Sequence, residues 1–466
     1  MTSVAILGAG ITGLTTAYHL TKAGVACSVY EASAQAGGVI RSLRDGEWLA
    51  EGGPNTILET SPRIAALVEE LGLAGRREYS RPDASARFIV RHAQPVSLPA
   101  NPLQFFTCRL YSWRAKLRLL REPFVRPGPH DQSVAAFVRH RLGQEFLDYG
   151  IDPLVTGIYA GDPERLSLRH AFPKIHNLEL TYGSLIRGQF LGARERRKRG
   201  EVAKDRAKKF SFDDGLQVLP DTLHQRLGPA VRLHHTVAGL RRLPNCWQLH
   251  IEGPAGSSIA EHEVVVVCTT AHAAARLRID APGFPSLAPL ADIDYPPVTS
   301  VVLGFPRERV VHPCCGFGAL IPHREGFGIL GTIFSSALFS RRAPAGHITL
   351  TTYVGGVRNR EAALLPDDAL EALVLRELGR LFGVHGGPVF RHVQRWPRAI
   401  PQYNLGYDSV HQLLRAAEAA TPGLLFAGHY RDGVALSDSI VNGERTAARA
   451  REQLRNPAIP APLAQS

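Results

Sequence analysis

The residues best suited to chemistry in this chain are three glycines near its start. Residues 4–20 read VAILGAGITGLTTAYHL, so Gly8, Gly10 and Gly13 stand in a G-x-G-x-x-G frame with Ala9, Ile11 and Thr12 between them. In such a frame the first glycine allows a tight turn and the second lets backbone approach a pyrophosphate. The third lets the following helix pack closely on the strand. The apolar run Val4–Leu7 predicts a parallel strand buried on both faces. Leu14–Lys22 predicts a helix whose first N–H groups and positive dipole end face the phosphates. A second strand, Ala26–Tyr30, then delivers Glu31, followed by Ala32. A carboxylate there can accept hydrogen bonds from ribose hydroxyls, and the whole pattern specifies dinucleotide binding.

Further glycine turns decide which dinucleotide. A nicotinamide enzyme normally proceeds from its acidic strand into another strand–helix unit. Here Gly37-Gly38-Val39 and Gly53-Pro54-Asn55-Thr56 follow instead, each set to press backbone against something long and flat. Arg41 supplies a charge for a second phosphate contact. Towards the other end, Gly423–Ala427 is again an apolar run closing on a glycine, Gly428. Val434 and Ala435 then lead into a helix expected over Leu436–Leu454. A helix N-terminus there can hold negative charge on a reduced flavin ring. The N-terminal glycine turn, the Gly-Gly loop after the acidic strand and the C-terminal strand–glycine–helix together describe FAD, and the set resembles the flavin amine oxidase superfamily.

The elements that must position these turns are scattered along the chain. The expected fold class is α/β with α+β insertions: a split Rossmann-like FAD-binding domain, a mixed-sheet substrate domain and a helical, membrane-associating domain. The FAD-binding domain is assigned to residues 1–75, 210–280 and 390–456. The substrate domain takes 80–94 and 285–390, the helical domain 95–205, and 457–466 is a flexible tail. Within these, strands are predicted over Val231–Gly239, Val264–Thr269, Ser300–Phe305 and Ile348–Val354, and a helix over Asp367–Phe382.

At 466 residues with 44% hydrophobic and 21% charged content, the chain can bury a large core. No run of eighteen apolar residues occurs, so no spanning helix is expected. The N-terminus lacks a basic leader and its glycines belong to the cofactor turn, so a cytoplasmic protein is expected, peripheral on the inner face of the membrane. The six cysteines form no C-x-x-C pair, and no metal site is expected. The formal charge is 54 − 42 = +12, much of it in the run RERRKRGEVAKDRAKK at 194–209. Interleaved aromatics are missing there, so it reads as a solvated loop and not as a nucleic-acid surface. The stretch 103–121 places Leu103, Phe106, Leu110, Trp113, Leu117 and Leu120 on one helical stripe, flanked by Arg109, Arg114, Lys116, Arg118 and Arg121. Such a helix can pack on the core or lie on an anionic bilayer.

Several stretches resemble, more narrowly, the oxygen-dependent protoporphyrinogen oxidases: EGGPNTIL (51–58), ARFIV (86–90), GIYAGDPERLSLRHAFPKI (157–175), GFGALIP (316–322) and RWPRAIPQYNLGY (395–407). The resemblance covers most of the chain in order. It implies oxidation of protoporphyrinogen IX to protoporphyrin IX with release of hydrogen peroxide. Molecular oxygen is then the second substrate and flavin N5 the hydride acceptor. It also implies that Arg87 pairs with a propionate, Phe339 stacks on a pyrrole ring, Leu320 covers another and Gly183 lies at the propionate end. Val237 would contact the adenine side, and Trp396 with Val434, Ala435 and Leu436 would line the isoalloxazine. No catalytic side chain is named, because positioning against the cofactor suffices for the chemistry.

Where many relatives have Gly-Gly-Ser, this chain has Tyr182-Gly183-Ser184, which narrows the propionate end. Coproporphyrinogen III, with four propionates, suits a more basic pocket, and Arg341 and Arg342 keep it open. An amine oxidase and a non-catalytic carrier of the same fold are the other readings, and oligomeric state is left open. Covalently flavinylated relatives use a cysteine before the last strand, and residues 402–421 contain none. We therefore predict non-covalent FAD: after acid denaturation and passage through a small-pore filter, the yellow colour appears in the filtrate. Flavin retained with the polypeptide overturns this.

Overall fold

Five short strands make one all-parallel sheet, in spatial order Val231–Arg232, Ala26–Tyr30, Ser3–Leu7, Val264–Val267 and Leu424–Phe426. The computed structural model describes residues 3–99, 101–129, 131–189, 191 and 207–455. Most of the basic run 194–209 and the tail 457–466 lie outside the described residues. The sheet is apolar on both faces because both are covered: Val4, Ile6 and Val266 pack with Leu14 and Ala17 of the first helix, and Ala5, Val265 and Val267 share a core with Trp247, Leu249 and Ile251 of a second sheet. The helix Ile11–Lys22 begins three residues earlier than its sequence suggests, since extended Gly10 serves as its N-cap. It crosses the last helix, Leu436–Arg455, at Gly443. A Cβ there would stand 2.7 Å from Thr15 Cβ and 2.9 Å from the Thr12 carbonyl oxygen. Thr16 Oγ1 donates to the Gly443 carbonyl at 3.1 Å across the same crossing.

The strand expected over Val231–Gly239 is two strands in two sheets. Val231–Arg232 ends the parallel sheet, and His234, at φ +58°, turns the chain. Thr236–Arg242 then joins a four-stranded sheet with Trp247–Gly253, Gly256–His262 and Arg278–Asp280. A third layer is seven-stranded: Phe390–Trp396, Val298–Pro306, His347–Gly355, Gly331–Ile333, Gly318–Leu320, Arg87–Arg91 and Gln94–Ser97. All its pairs are antiparallel except Gly318–Leu320 with Arg87–Arg91. The helix Asp367–Phe382, with the bounds read from sequence, seals this sheet through Leu370, Val374, Leu378 and Leu381. A small three-stranded sheet carries Lys209–Phe212 between Ile57–Leu58 and Arg77–Tyr79.

The stripe at 103–121 is not one continuous helix. It breaks into Pro102–Thr107 and Trp113–Leu119, and of its apolar residues only Leu110 is buried. A remote carboxylate forces the break: Glu145 accepts from Ser112 N–H at 2.9 Å, from Ser112 Oγ, and from Arg91 Nη1 at 2.7 Å. Ser112 in turn caps the second helix by accepting from Ala115 N–H. Lys116, expected as a flanking cation, is buried and donates to the carbonyls of Phe106 and Cys108, each at 2.8 Å. Among the described residues no helix is long and apolar enough to cross a membrane.

Burial holds three histidines neutral. His262 bridges Ser3 Oγ and Tyr30 Oη at 3.0 Å each, while His411 and His429 pack among tyrosines. Desolvation lowers each imidazole to about 4, aided by Arg232 at His262 and by His170 at His411. A depressed folded-state pKa gives stability that is full above the unfolded value of about 6.5 and is lost as pH falls towards 4. The melting temperature should therefore drop on acidification through that window. His262→Gln should flatten the slope there, which thermal scans from pH 7 to 4 would show; an unchanged slope counts against the assignment.

Candidate active site

Glycine backbone forms a continuous path from the first turn to the seven-stranded sheet. Gly8 has φ +102°, and a Cβ on Gly13 would lie 2.1 Å from the Gly8 carbonyl oxygen, so neither position tolerates a side chain. Gly10, by contrast, faces open space within 4 Å of where its Cβ would be. Gly37 pairs with Gly10 as an isolated bridge, and Gly37 N–H donates to the Ala9 carbonyl at 2.8 Å. Gly38, at φ +63°, sits against Gly10 Cα. A Cβ on Gly53 would lie 2.0 Å from the Val39 carbonyl oxygen and 3.8 Å from Trp396 Cζ2. The path thus runs from Gly8 through Gly10 and Gly38 to Val39, Gly53 and Trp396.

Glu31 stands at one end of the path and Trp396 at the other. At the acidic end Glu31 accepts from Ala9 N–H at 2.7 Å and from Ser33 N–H at 2.9 Å, while Ala32 beside it is exposed. His235 N–H donates to the Glu31 carbonyl at 2.8 Å, which brings Val237, two residues on, to the same corner. At the other end Trp396 Nε1 donates to the Gly52 carbonyl at 2.8 Å, and Tyr353 Oη to the Gly53 carbonyl at 3.2 Å. Asn55, between Pro54 and Thr56, donates to Tyr353 Oη. Gly428, at φ +124°, approaches the Thr269 carbonyl beside Gly8, and its N–H donates to Asp432 at 3.2 Å. Val434, Ala435 and Leu436 stay half-buried, and Val39 is 44% exposed. Open space over Gly10 and uncovered apolar side chains at the far end fit a long, flat dinucleotide with an aromatic head. Arg41 donates to the carbonyls of Ala36 and Ile40 and so braces the second glycine turn.

The residues assigned to the substrate come from four separate segments. Arg87 and Leu320 sit on paired strands, with Gly318 opposite Arg87 and Leu320 opposite Ile89. Arg87 is half-buried, and its guanidinium makes no hydrogen bond or ion pair among the described residues. Leu320 packs on the helix Asp152–Tyr159, where a Cβ on Gly157 would lie 2.7 Å from Leu320 Cδ2. Phe339 is 1% exposed in a cluster with Ala84 and Leu338, against Phe317 and Ile333, so it stands inside the wall and not on an open face. Gly183 is the left-handed C-cap of Pro173–Tyr182 at φ +67°. Its carbonyl accepts from Arg141 Nη2 at 3.0 Å. Arg141 is fully buried between Glu122 and Glu179, and Glu122 also accepts from Ser184 Oγ and from the N–H groups of Leu185 and Ile186. Burial alone would raise the Glu122 carboxyl, but these donors bring it below the usual range.

Sequence reading missed the pair Glu51–Arg342. Both are buried, at 2% and 1% exposure, and Arg342 Nη2 stands 3.5 Å from Glu51 Oε1. The available signal was an acid closing the strand Trp48–Glu51 directly before a Gly-Gly turn. Its partner, 291 residues away, left no local trace. Arg342 is therefore already engaged by protein, whereas Arg341 is exposed.

Comparison with known proteins agrees with the geometry. The family model for flavin containing amine oxidoreductase matches residues 11–451. Protoporphyrinogen oxidase 2, chloroplastic/mitochondrial, of Arabidopsis thaliana is 34% identical over 472 residues, covering 95% of this chain and 92% of that protein. Coproporphyrinogen III oxidase of Bacillus subtilis (strain 168) is 29% identical over 462 residues, covering 95% and 96%. A crystal structure from Exiguobacterium sp. 255-15 superposes with a TM-score of 0.80 at 22% identity, over 97% of this chain and 99% of that one, which bears on fold alone. The chain belongs to the flavin-containing amine oxidoreductase family and is an FAD-dependent oxidase related to the protoporphyrinogen oxidases.

Proposed function

We propose that this enzyme oxidises protoporphyrinogen IX to protoporphyrin IX, with molecular oxygen as acceptor and hydrogen peroxide as the second product. The observation that carries the reading is Arg87: a half-buried guanidinium with no partner among the described residues, on the strand that pairs with that of Leu320. A free cation next to an aliphatic wall suits an apolar macrocycle bearing propionates. The 34% identity to a protoporphyrinogen oxidase over nearly the whole chain supports the same substrate. Coproporphyrinogen III is the second reading, favoured by the 29% identity to a coproporphyrinogen III oxidase. Its four propionates ask for more free cations, and the engagement of Arg342 by Glu51 weighs against it.

FAD, when bound, supplies the electron acceptor for removal of hydrogen from the macrocycle. The chain's own work is to hold and orient. Gly8, Gly10 and Gly13 open the backbone to the phosphates, and the helix Ile11–Lys22 presents its N-terminus there. Glu31 and Val237 would hold the adenosine end. Gly38, Val39, Gly53, Trp396, Gly428 and Val434–Leu436 would hold the flavin end. Arg87 orients the macrocycle, Leu320 packs on it, and Gly183 borders the propionate end on a turn fixed by the buried Arg141 cluster. We assign the FAD-binding domain to residues 1–75, 210–280 and 390–456, with substrate and helical domains between.

The enzyme is further proposed to dock peripherally on anionic membrane. Leu103, Phe106, Trp113, Leu117, Leu120 and Phe124 are exposed, Trp113 by 64% and Phe124 by 81%, and Arg109, Arg114, Arg118 and Arg121 are exposed among them. Apolar side chains that face water beside cations suit the interfacial zone of a bilayer.

Two predictions follow from this reading. Arg87→Ala should raise KM for protoporphyrinogen and lower kcat/KM roughly ten- to a hundredfold, the loss of about 1.5–3 kcal/mol expected for a charge-assisted contact. Flavin content should not change, and Arg87→Lys should recover part of the loss. Wild-type efficiency in Arg87→Ala would assign the propionate to another residue. In vesicle sedimentation, binding should require anionic lipid and weaken with salt, each exposed arginine contributing about 1 kcal/mol near the surface. Equal binding to neutral vesicles, or indifference to salt, removes the electrostatic part.

A further inference from the structure

The pair Glu51–Arg342 joins the two sides of the site. Glu51 ends the strand Trp48–Glu51 and is followed directly by Gly52 and Gly53, whose carbonyls accept from Trp396 and Tyr353. Arg342 lies three residues after Phe339, and its guanidinium carbon stands 5.0 Å from the centre of the Phe339 ring. One side chain therefore reaches from the flavin-side turn, the other from the wall that contains Phe339, and they meet in the interior.

The surroundings of the pair are unequal. Glu51 is well supplied: Ser42 Oγ donates to it at 2.6 Å and Leu216 N–H at 2.9 Å. Arg342 Nη2 donates to Ser211 Oγ at 2.7 Å, but Arg342 Nη1 is buried with no acceptor among the described residues. A buried donor without a partner carries a desolvation cost, and replacing a buried ion pair by apolar side chains is often neutral or stabilising. A pair kept for stability alone would not leave that donor open. Its place, between cofactor turn and substrate wall, offers a different reason for it.

We propose that Glu51 and Arg342 act as a positioning pair, in which the Glu51 carboxylate holds the Arg342 guanidinium over Phe339 and so fixes the substrate wall relative to the Gly52–Gly53 turn. The substrate side of this rests on the porphyrinogen reading; the link to the flavin-side turn does not. Burial pushes the Glu51 carboxyl up to about 7, against the opposing pull of Arg342, Ser42 and Leu216. The pair is therefore charged above neutral pH and loses its anion below it. The charged groups around it act less directly. Glu78 accepts from Ser340 N–H and Oγ, and Asp214 is engaged by Arg44. Tyr353 stays protonated, raised by burial and then by Glu51. Glu51 is the group of this set that changes charge near neutrality.

The test uses the full-length FAD-loaded enzyme, Glu51→Gln and the double variant Glu51→Gln/Arg342→Met. Wild-type KM for protoporphyrinogen should rise roughly three- to tenfold as pH falls from about 8 to about 6, a coupling of the size found between contacting residues. Glu51→Gln keeps the hydrogen-bonding shape without the charge, so its KM should be raised at pH 8 and show no step through 7. The double variant removes both charges and any unpaired cation. It should retain fold and flavin content and still show the raised, pH-independent KM. A wild-type KM with its pH step in either variant overturns the proposal. Flavin absorbance without substrate supplies the independent readout: a pH-dependent shift of the visible band with a midpoint near 7 in wild type, lost in both variants. If wild type shows that shift but does not oxidise protoporphyrinogen, the substrate reading fails and the pair stands. If substrate is oxidised but neither KM nor absorbance responds to pH or to Glu51→Gln, the pair fails and the substrate reading stands.

Discussion

Backbone must come within van der Waals reach of backbone along the path from Gly8 to Gly53, and much of the architecture serves that one constraint. Gly13 lets the first helix sit against the Gly8 carbonyl, and Gly53 lets the third turn sit against Val39. A side chain at either position would drive apart elements whose separation defines the cofactor groove. The last helix is drawn in by the same means, since Gly443 allows it to lie on Thr12 and Thr15. Three close contacts of the fold are thus pinned by positions where no side chain is present.

The helical region depends on a different interaction. Arg141, enclosed by Glu122 and Glu179, has no access to water, and its charge is stable there because each carboxylate is itself supplied with donors. This arrangement fixes the turn at Gly183 from behind, without a side chain of Gly183 itself. A rigid cluster inside and exposed apolar residues outside give this region two distinct faces.

What sequence could reveal followed the range over which each feature is determined. The glycine frame, Glu31 and the helix Asp367–Phe382 are set by residues within a turn or two of one another, and they stand where their spacing placed them. The 103–121 stripe was misread as one helix because its break is caused by Glu145, which enters from another element. Val231–Gly239 divided because His234 takes a left-handed conformation that its type alone does not announce. Arg87 and Leu320 were singled out by the motifs ARFIV and GFGALIP, and their two strands pair in the seven-stranded sheet. Glu51–Arg342 was not legible, because an ion pair between distant segments has no periodicity, and Phe339 lies covered where resemblance suggested an open ring.

The order of strands in the parallel sheet has a consequence for how the protein is made. Ser3–Leu7 lies at the centre, yet Val264–Val267 beside it and Leu424–Phe426 at the edge come from much later in the chain. The turn at Gly428 and the helix that crosses at Gly443 come later still. On the ribosome, the first glycine turn therefore emerges long before the segments that close over it, at roughly 5–20 residues per second. During that interval the apolar strand Val4–Leu7 has only Ala26–Tyr30 to pair with, and its other edge stays open until Val264–Val267 is made. Completion of the sheet accordingly falls late in synthesis, long after the motif at its centre has left the ribosome.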